Sequence, residues 1–292
     1  MDHANSSGVG SGDVPAEYAV FVFDMKEYSK IPEAEMGPAR AQADAIVLSA
    51  LERSGVEGLG TLDRSVVARS GGAVMDRGDG AVLVLPARHT ARLVDPLLGY
   101  LEQGLRQRER SRRVGAPVIR LRVGIHVGPL EPPHHDGDAV NYACRFVDSD
   151  VTRGAMAAAT DHGLMLAAAV SATAFDRSVR AGRAHALEPH HFLSATALVR
   201  NKPGFQETCW LHVPGLVPSV IASYVMTDEE TAPVAGGNPA VRPEPGGSQN
   251  SSTTGSVHQK ARASGGAQVT QVGRDYIASP KPEWAPPRGR EK

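Results

Sequence analysis

Cysteine is scarce in this chain: Cys144 and Cys209 are the two in 292 residues. They lie too far apart in sequence to form a metal-ligand pair, and a disulfide-stapled secreted scaffold is excluded, so the usage fits a reducing compartment. Charge of one sign is also lacking. Lys and Arg number 31 against 32 Asp and Glu, a net charge of −1, which leaves no global electrostatic footprint for nucleic acid or an anionic membrane. No apolar run approaches the ~18 residues of a membrane span. The N-terminal stretch is polar and rich in Gly and Ser, without the apolar segment of a signal peptide. A cytosolic (cytoplasmic) protein is expected. Hydrophobic content is 41%, held slightly below the globular norm by two polar ends.

Residues 1–14 are too polar to fold alone. From 15 to 218 the pattern is that of one globular domain. Ala19–Asp24 reads as a short buried strand. Pro38–Ser54 carries helical spacing through Ala41, Ala45, Val47, Leu48 and Leu51, with Gly55 as the stop. Val66–Met75 and Ala81–Leu85, joined by a turn rich in Gly and Asp, read as a hairpin. Ala87–Arg113 reads as one long helix through Leu93, Leu97, Leu98, Leu101 and Leu105. Val118–Val127 reads as a strand and Ala139–Val147 as a helix, and Leu164–Ser171, Phe192–Arg200 and Cys209–His212 as strands, with a helix near Ala172–Arg180. Alternation of this kind predicts an α+β, ferredoxin-like domain: a central, mostly antiparallel sheet with helices packed on it. Residues 219–292 read as a flexible, disordered tail rich in Pro, Gly and Ser. Within it one β-prone stretch, Ala267-Gln-Val-Thr-Gln-Val-Gly-Arg-Asp-Tyr-Ile277, could pair strand-to-strand with a like segment of a partner or be inert.

Asp24 ends the apolar run Tyr18-Ala-Val-Phe-Val-Phe23, and Asp79 sits in the turn Asp76-Arg-Gly-Asp-Gly80. Both carboxylates can therefore project from one end of a sheet, a set of hard oxygen ligands suited to Mg²⁺ or Mn²⁺ beside substrate phosphates. Asn141 and Arg145 lie four apart, on one helix face, where an amide and a guanidinium can serve a reacting phosphate. Alone, each has an ordinary alternative: Asp24 a turn cap, Asp79 a hairpin residue, Arg145 a surface arginine and Asn141 a helix-interior asparagine.

In order along the chain stand Phe-Val-Phe-Asp-Met-Lys-Glu-Tyr-Ser from Phe21, Arg-Gly-Asp-Gly from Arg77, Leu121-Arg-Val-Gly-Ile-His-Val-Gly128 and Gly137-Asp-Ala-Val-Asn-Tyr-Ala-Cys-Arg145. This series resembles the catalytic domain of class III nucleotidyl cyclases across residues 17–213. The resemblance implies a ferredoxin-like core and a head-to-tail homodimer with shared active sites. It implies two Mn²⁺ or Mg²⁺ ions per site, held by Asp24, Asp79 and the Met25 carbonyl of one protomer. Asn141 and Arg145 of the other would stabilise the transition state. Lys202, in Val199-Arg-Asn-Lys-Pro-Gly-Phe205, would reach the triphosphate by a looser match.

Three positions depart from the family pattern. Adenylate cyclases of the family carry Lys four residues before the second metal aspartate and Asp seven before the asparagine, and guanylate cyclases carry Glu and Cys. Here the two positions are Met75 and His134. A buried polar code rejects a wrong base strongly, so its loss argues against purines. The loop glycine after the first aspartate is replaced by Glu27.

The resemblance is nearest to the bacterial pyrimidine cyclases of anti-phage defence. It implies conversion of a nucleoside triphosphate, UTP ahead of CTP, to a 3′,5′-cyclic nucleotide and pyrophosphate. The product would be a second messenger for a separate effector. Met75, Arg77 and His134 are candidates to line the base pocket. Two alternatives stand beside this reading: a catalytically silent nucleotide-binding sensor, and an adenylate or guanylate cyclase with an atypical base pocket. The basic run Arg106–Arg113 reads as a solvated helix end, and His190 with His191 as structural or exposed.

Overall fold

The computed structural model describes residues 15–56, 73–132, 135 and 137–225. Among them the chain runs β1 (Glu17–Met25), α1 (Glu33–Arg53), β2 (Ala73–Asp76), β3 (Gly80–Pro86), α2 (Thr90–Val94), α3 (Leu97–Arg110), β4 (Leu121–Pro129), α4 (Asp138–Asp148), α5 (Asp150–Asp161), β5 (Leu166–Ser171), α6 (Ala172–Phe175), β6 (Leu193–Leu198), β7 (Gln206–His212) and α7 (Pro218–Val225). The strands form one seven-stranded sheet in the order β2-β3-β1-β4-β5-β7-β6. Its first four strands, with α1 and α2–α3 as crossovers, reproduce the βαββαβ order of a ferredoxin-like core. Pairing is antiparallel except for β4 with β5. The expected α+β class holds. No helix among the described residues is long and apolar enough to cross a membrane.

Strand alternation sorts the core into two layers. Ala19, Phe21, Phe23 and Met25 of β1 face one side, packed with Leu51 of α1 and Leu97, Leu101 and Leu105 of α3. Val20 and Val22 face the other, against Ala139, Ala143 and Val147 of α4. Asp24 continues the second series, so the period of two aims its carboxylate at the layer of α4.

The helix α4 comes close because β4 presents glycines to it. A Cβ on Gly124 would stand 2.5 Å from the Ala143 carbonyl oxygen and 2.8 Å from a Val147 methyl. On Gly128 it would meet the Ala139 Cβ at 3.0 Å. The glycines of Arg-Val-Gly-Ile-His-Val-Gly thus let helix and strand backbones meet directly.

Several boundaries differ from the sequence expectation. The long helix over Ala87–Arg113 is broken. A 3₁₀ turn at Ala87–His89 leads into α2, Asp95 is extended (φ −140°, ψ 118°), and α3 begins after Pro96. Proline lacks the N–H that would continue the ladder and pushes its predecessor out of the helical region. The apolar spacing crosses this break unchanged, which is why it read as one helix. The helix α1 starts at Glu33, a turn before the expected Pro38, and carries that proline on an exposed position. Residues 219–225, expected as part of the tail, belong instead to the helix Pro218–Val225, which buries Ile221; residues 226–292 lie outside the described residues. The Ala-rich α5, capped by the Ser149 hydroxyl on the Thr152 N–H, is a helix that the apolar pattern does not announce. Residues 66–72 of the expected first hairpin strand lie outside the described residues, as does the 267–277 segment.

Candidate active site

Asp24 is 3% exposed. Arg122, its neighbour across the β1–β4 pair, grips it with both arms of the guanidinium, Nε to Oδ1 at 2.9 Å and Nη2 to Oδ2 at 2.7 Å. Burial pushes the Asp24 carboxyl up to about 6; Arg122 opposes that rise, and the charges of Asp79 and Asp148 add to it.

The turn carrying Asp79 is pressed against the end of β1. The Met25 N–H donates to the Asp79 carbonyl at 2.9 Å. Gly80 lies opposite Asp24, and a Cβ there would run into the Phe23 carbonyl oxygen; the Gly of Asp-Gly is needed for that approach. Arg40 of α1 holds the far side of the turn, donating to Asp76 Oδ1 at 2.9 Å and the Gly78 carbonyl at 2.6 Å. Asp24 and Asp79 are thereby brought together, as their positions in sequence suggested.

Asn141 is exposed and Arg145 half-buried on α4. With Lys202 of the β6–β7 hairpin they line an open groove of about 790 Å³, joined by Asp148, Arg153 and Arg200. The Arg145 guanidinium lies 5.3 Å from the centre of the Phe205 ring, which also packs on Tyr142 and Phe146. The structure so gathers Asn141, Arg145 and Lys202. The acidic pair does not line this groove. The link between the two regions is Arg77, whose Nη2 lies 3.4 Å from Asp148 Oδ2 while its Nη1 is buried without a partner.

Met75 is half-buried against the apolar layer of Val20, Val22, Val82 and Val84. His134 lies outside the described residues. Glu27 takes the left-handed conformation, φ 60° and ψ 28°, so this loop keeps a glycine-type backbone with a glutamate on it. Its carboxylate pairs with Lys30 at 2.5 Å and Lys26 at 3.5 Å.

A metal would find two carboxylates and a backbone carbonyl here. Among the described residues no group of three His, Cys, Asp or Glu side chains forms a preformed cage. That donor set fits a hard cation that keeps phosphate and water ligands. Each Asp24 oxygen, having accepted one bond from Arg122, retains acceptor capacity.

Sequence reasoning missed Arg122, Asp148, Arg153 and Arg200. Asp148 was findable, since it follows Arg145 by three and Asn141 by seven on the same helix face. Arg122 depends on a strand pairing 98 residues long in sequence, which no local signal reports. The basic run is structural in part: Arg108 donates to Gln42 and the Pro117 carbonyl, Arg112 to Glu109 and the Ala116 carbonyl. His191 accepts from the Glu188 N–H at 2.9 Å.

Comparison with known proteins gives similarities of fold. No protein-family model matches the chain, and no curated protein matches it. Among solved structures it is similar to a bacterial light-regulated adenylyl cyclase, with 14% identity and a TM-score of 0.43, over 72% of this chain and 58% of that one. The chain thus spans little more than half of that protein. It is similar to the guanylyl cyclase Cya2, with 13% identity and a TM-score of 0.41, over 69% of this chain and 95% of that one. It is also similar to the guanylyl cyclase domain of the RhoGC fusion protein from the aquatic fungus Blastocladiella emersonii, with 14% identity and a TM-score of 0.40, over 69% and 98%. At such identities the chemistry has to be read from this chain's own residues.

Proposed function

We propose that the chain is a divalent-metal-dependent nucleotidyl cyclase that closes a pyrimidine nucleoside triphosphate, UTP ahead of CTP, to its 3′,5′-cyclic monophosphate and pyrophosphate. The supporting observation is the arrangement of two incomplete half-sites on one chain. Asp24 and Asp79 meet at the end of β1, while Asn141, Arg145 and Lys202 share a separate groove. A head-to-tail homodimer would place the acidic half of each subunit against the groove of the other, giving two equivalent sites.

Asp24, Asp79 and the Met25 carbonyl would hold the metals. Bound there, they would lower the pKa of the ribose 3′-hydroxyl and offset the charge of the phosphates. Arg122 keeps the Asp24 carboxylate oriented for that duty. The Asn141 amide and the Arg145 guanidinium donate to the α-phosphate oxygens, which carry most charge as the 3′-oxygen bonds to phosphorus and the bond to pyrophosphate breaks. Lys202, with no carboxylate partner among the described residues, supplies a cation to the β- and γ-phosphates.

Met75 and Arg77 would line the base site with His134. An apolar thioether beside a guanidinium suits a base that presents carbonyl acceptors. The product would act on a separate effector as a second messenger in anti-phage defence. Purified protein incubated with Mn²⁺ and each of the four common nucleoside triphosphates should yield cyclic UMP by mass; cyclic AMP or GMP as the main product would overturn the base assignment.

A second reading has one observation in its favour. Both oxygens of Asp24 accept a bond from Arg122, as expected of a structural ion pair in a nucleotide sensor that binds without turnover. Nucleotide binding that survives Asp79→Ala, with no product from the wild type, would select it.

A further inference from the structure

We propose that Asp148 is a positioning residue that couples the two active sites of the dimer, so that nucleotide binds the second site more tightly than the first. The inference rests on the shared-site reading above. In that arrangement Asp79 of a chain serves one site while Asn141 and Arg145 of the same chain serve the other. Arg77 stands in the same turn as Asp79 and reaches across to Asp148, the last residue of α4. Asp148 is also held from α5. Arg153 Nη2 lies 3.8 Å from its carboxylate, and Arg153 Nε donates to its carbonyl at 3.1 Å. Three elements that answer to two different sites therefore converge on this one carboxylate.

The Arg77 contact has slack. Its 3.4 Å is long beside the ~2.7–2.9 Å of a firm charge-assisted hydrogen bond, and Nη1 has no partner among the described residues. The opposite side of the turn has none, because Arg40 fixes both Asp76 and the Gly78 carbonyl. The loosest contact of the turn is thus the one that faces α4. A nucleotide bound at Asp79 orders the turn, draws Arg77 onto Asp148 and fixes the helix end that carries Arg145. The second nucleotide then meets a groove already ordered, at a smaller entropic cost, which is positive cooperativity.

The test is calorimetric titration of the full chain with 3′-deoxy-UTP and Mn²⁺, a ligand that binds but cannot cyclise. The wild-type dimer should bind two molecules, the second on the order of fivefold more tightly than the first after statistical correction. In Asp148→Asn the two affinities should become equal, and UTP saturation should lose its sigmoidal form. Should that variant fail to fold, Asp148→Ser, which likewise removes the charge that Arg77 and Arg153 share, is expected to give the same result. Equal affinities in the wild type, or cooperativity that persists in Asp148→Asn, would overturn the proposal. Absence of cyclic product would refute the cyclase reading instead, since the titration requires no turnover.

Discussion

Gly124→Ala isolates the contact that positions α4. The added methyl would stand 2.5 Å from the Ala143 carbonyl and 2.8 Å from Val147 Cγ2. Neither neighbour is the free end of a long side chain: one is helix backbone and the other a buried branched residue. An ordinary contact needs about 3.4 Å, so the helix must lift by roughly 0.5–1 Å or the strand must bend. Overpacking of this kind costs about 1–3 kcal/mol. The effect on turnover should be larger than the effect on stability, because α4 carries Asn141 and Arg145, the donors of the proposed reaction. Displacing catalytic donors by about 1 Å lowers rates on the order of a hundredfold. Gly128→Ala is the internal control. Its methyl would meet the Ala139 Cβ at 3.0 Å and His126 Nε2 at 3.2 Å, contacts that small shifts relieve, so its losses should be clearly smaller. Urea unfolding and cyclic UMP formation under Mn²⁺ measure both quantities. A Gly124→Ala protein within about 0.5 kcal/mol of wild type and with full activity would refute the close-packing argument.

Three further substitutions probe other parts of the account. Glu27→Gly should stabilise the protein by about 0.5–1 kcal/mol, since a left-handed residue loses its steric cost and only the two surface ion pairs with Lys26 and Lys30 are forfeited; a drop in urea midpoint would contradict this. Arg122→Met should destabilise by about 3 kcal/mol, because it leaves the Asp24 carboxylate buried without its partner; a neutral effect would mean that the pair contributes nothing. Glu102 carries a large share of the pH dependence, beside Asp24, whose carboxyl pKa burial also raises. Glu102 is buried on α3, where it accepts from the Met165 N–H, and burial raises its pKa to about 7 from 4.5. The folded state therefore holds that proton more tightly, so the stability it confers is complete below 4.5 and is lost as pH rises through 7, by about 3 kcal/mol in all. Glu102→Gln should flatten this slope and exceed wild type in stability at pH 8, by about 2 kcal/mol in urea unfolding; an unchanged slope would exclude Glu102 as its source.

Much of this arrangement was legible in the residues because it is written in short periods. The alternation Val20, Val22, Asp24 assigns a face, the Asp-Gly of Asp79-Gly80 marks a turn, and Asn141 to Arg145 is one helical turn. What could not be read depends on events that leave no local trace. Leu93 and Leu97 keep helical spacing across Pro96, so the apolar pattern concealed a backbone break that the proline alone announced. In α5 the buried face is made of Ala155, Ala158 and Ala159 beside Met156, too weak in hydrophobic contrast to mark a helix. Arg122 acts through a partner on another strand, and its role exists only once β1 and β4 are paired.

Whether each site is built from two subunits is the central claim, and mixing two inactive variants tests it most directly. Asp79→Ala spoils the acidic half and Arg145→Ala the groove, so each homodimer should form no cyclic nucleotide from UTP and Mn²⁺. Mixed in equal amounts and allowed to exchange, they should regain about a quarter of wild-type activity, because half the dimers are then mixed and each holds one intact site. A mixture that exchanges subunits yet stays inactive, beside an active wild type, would contradict the account.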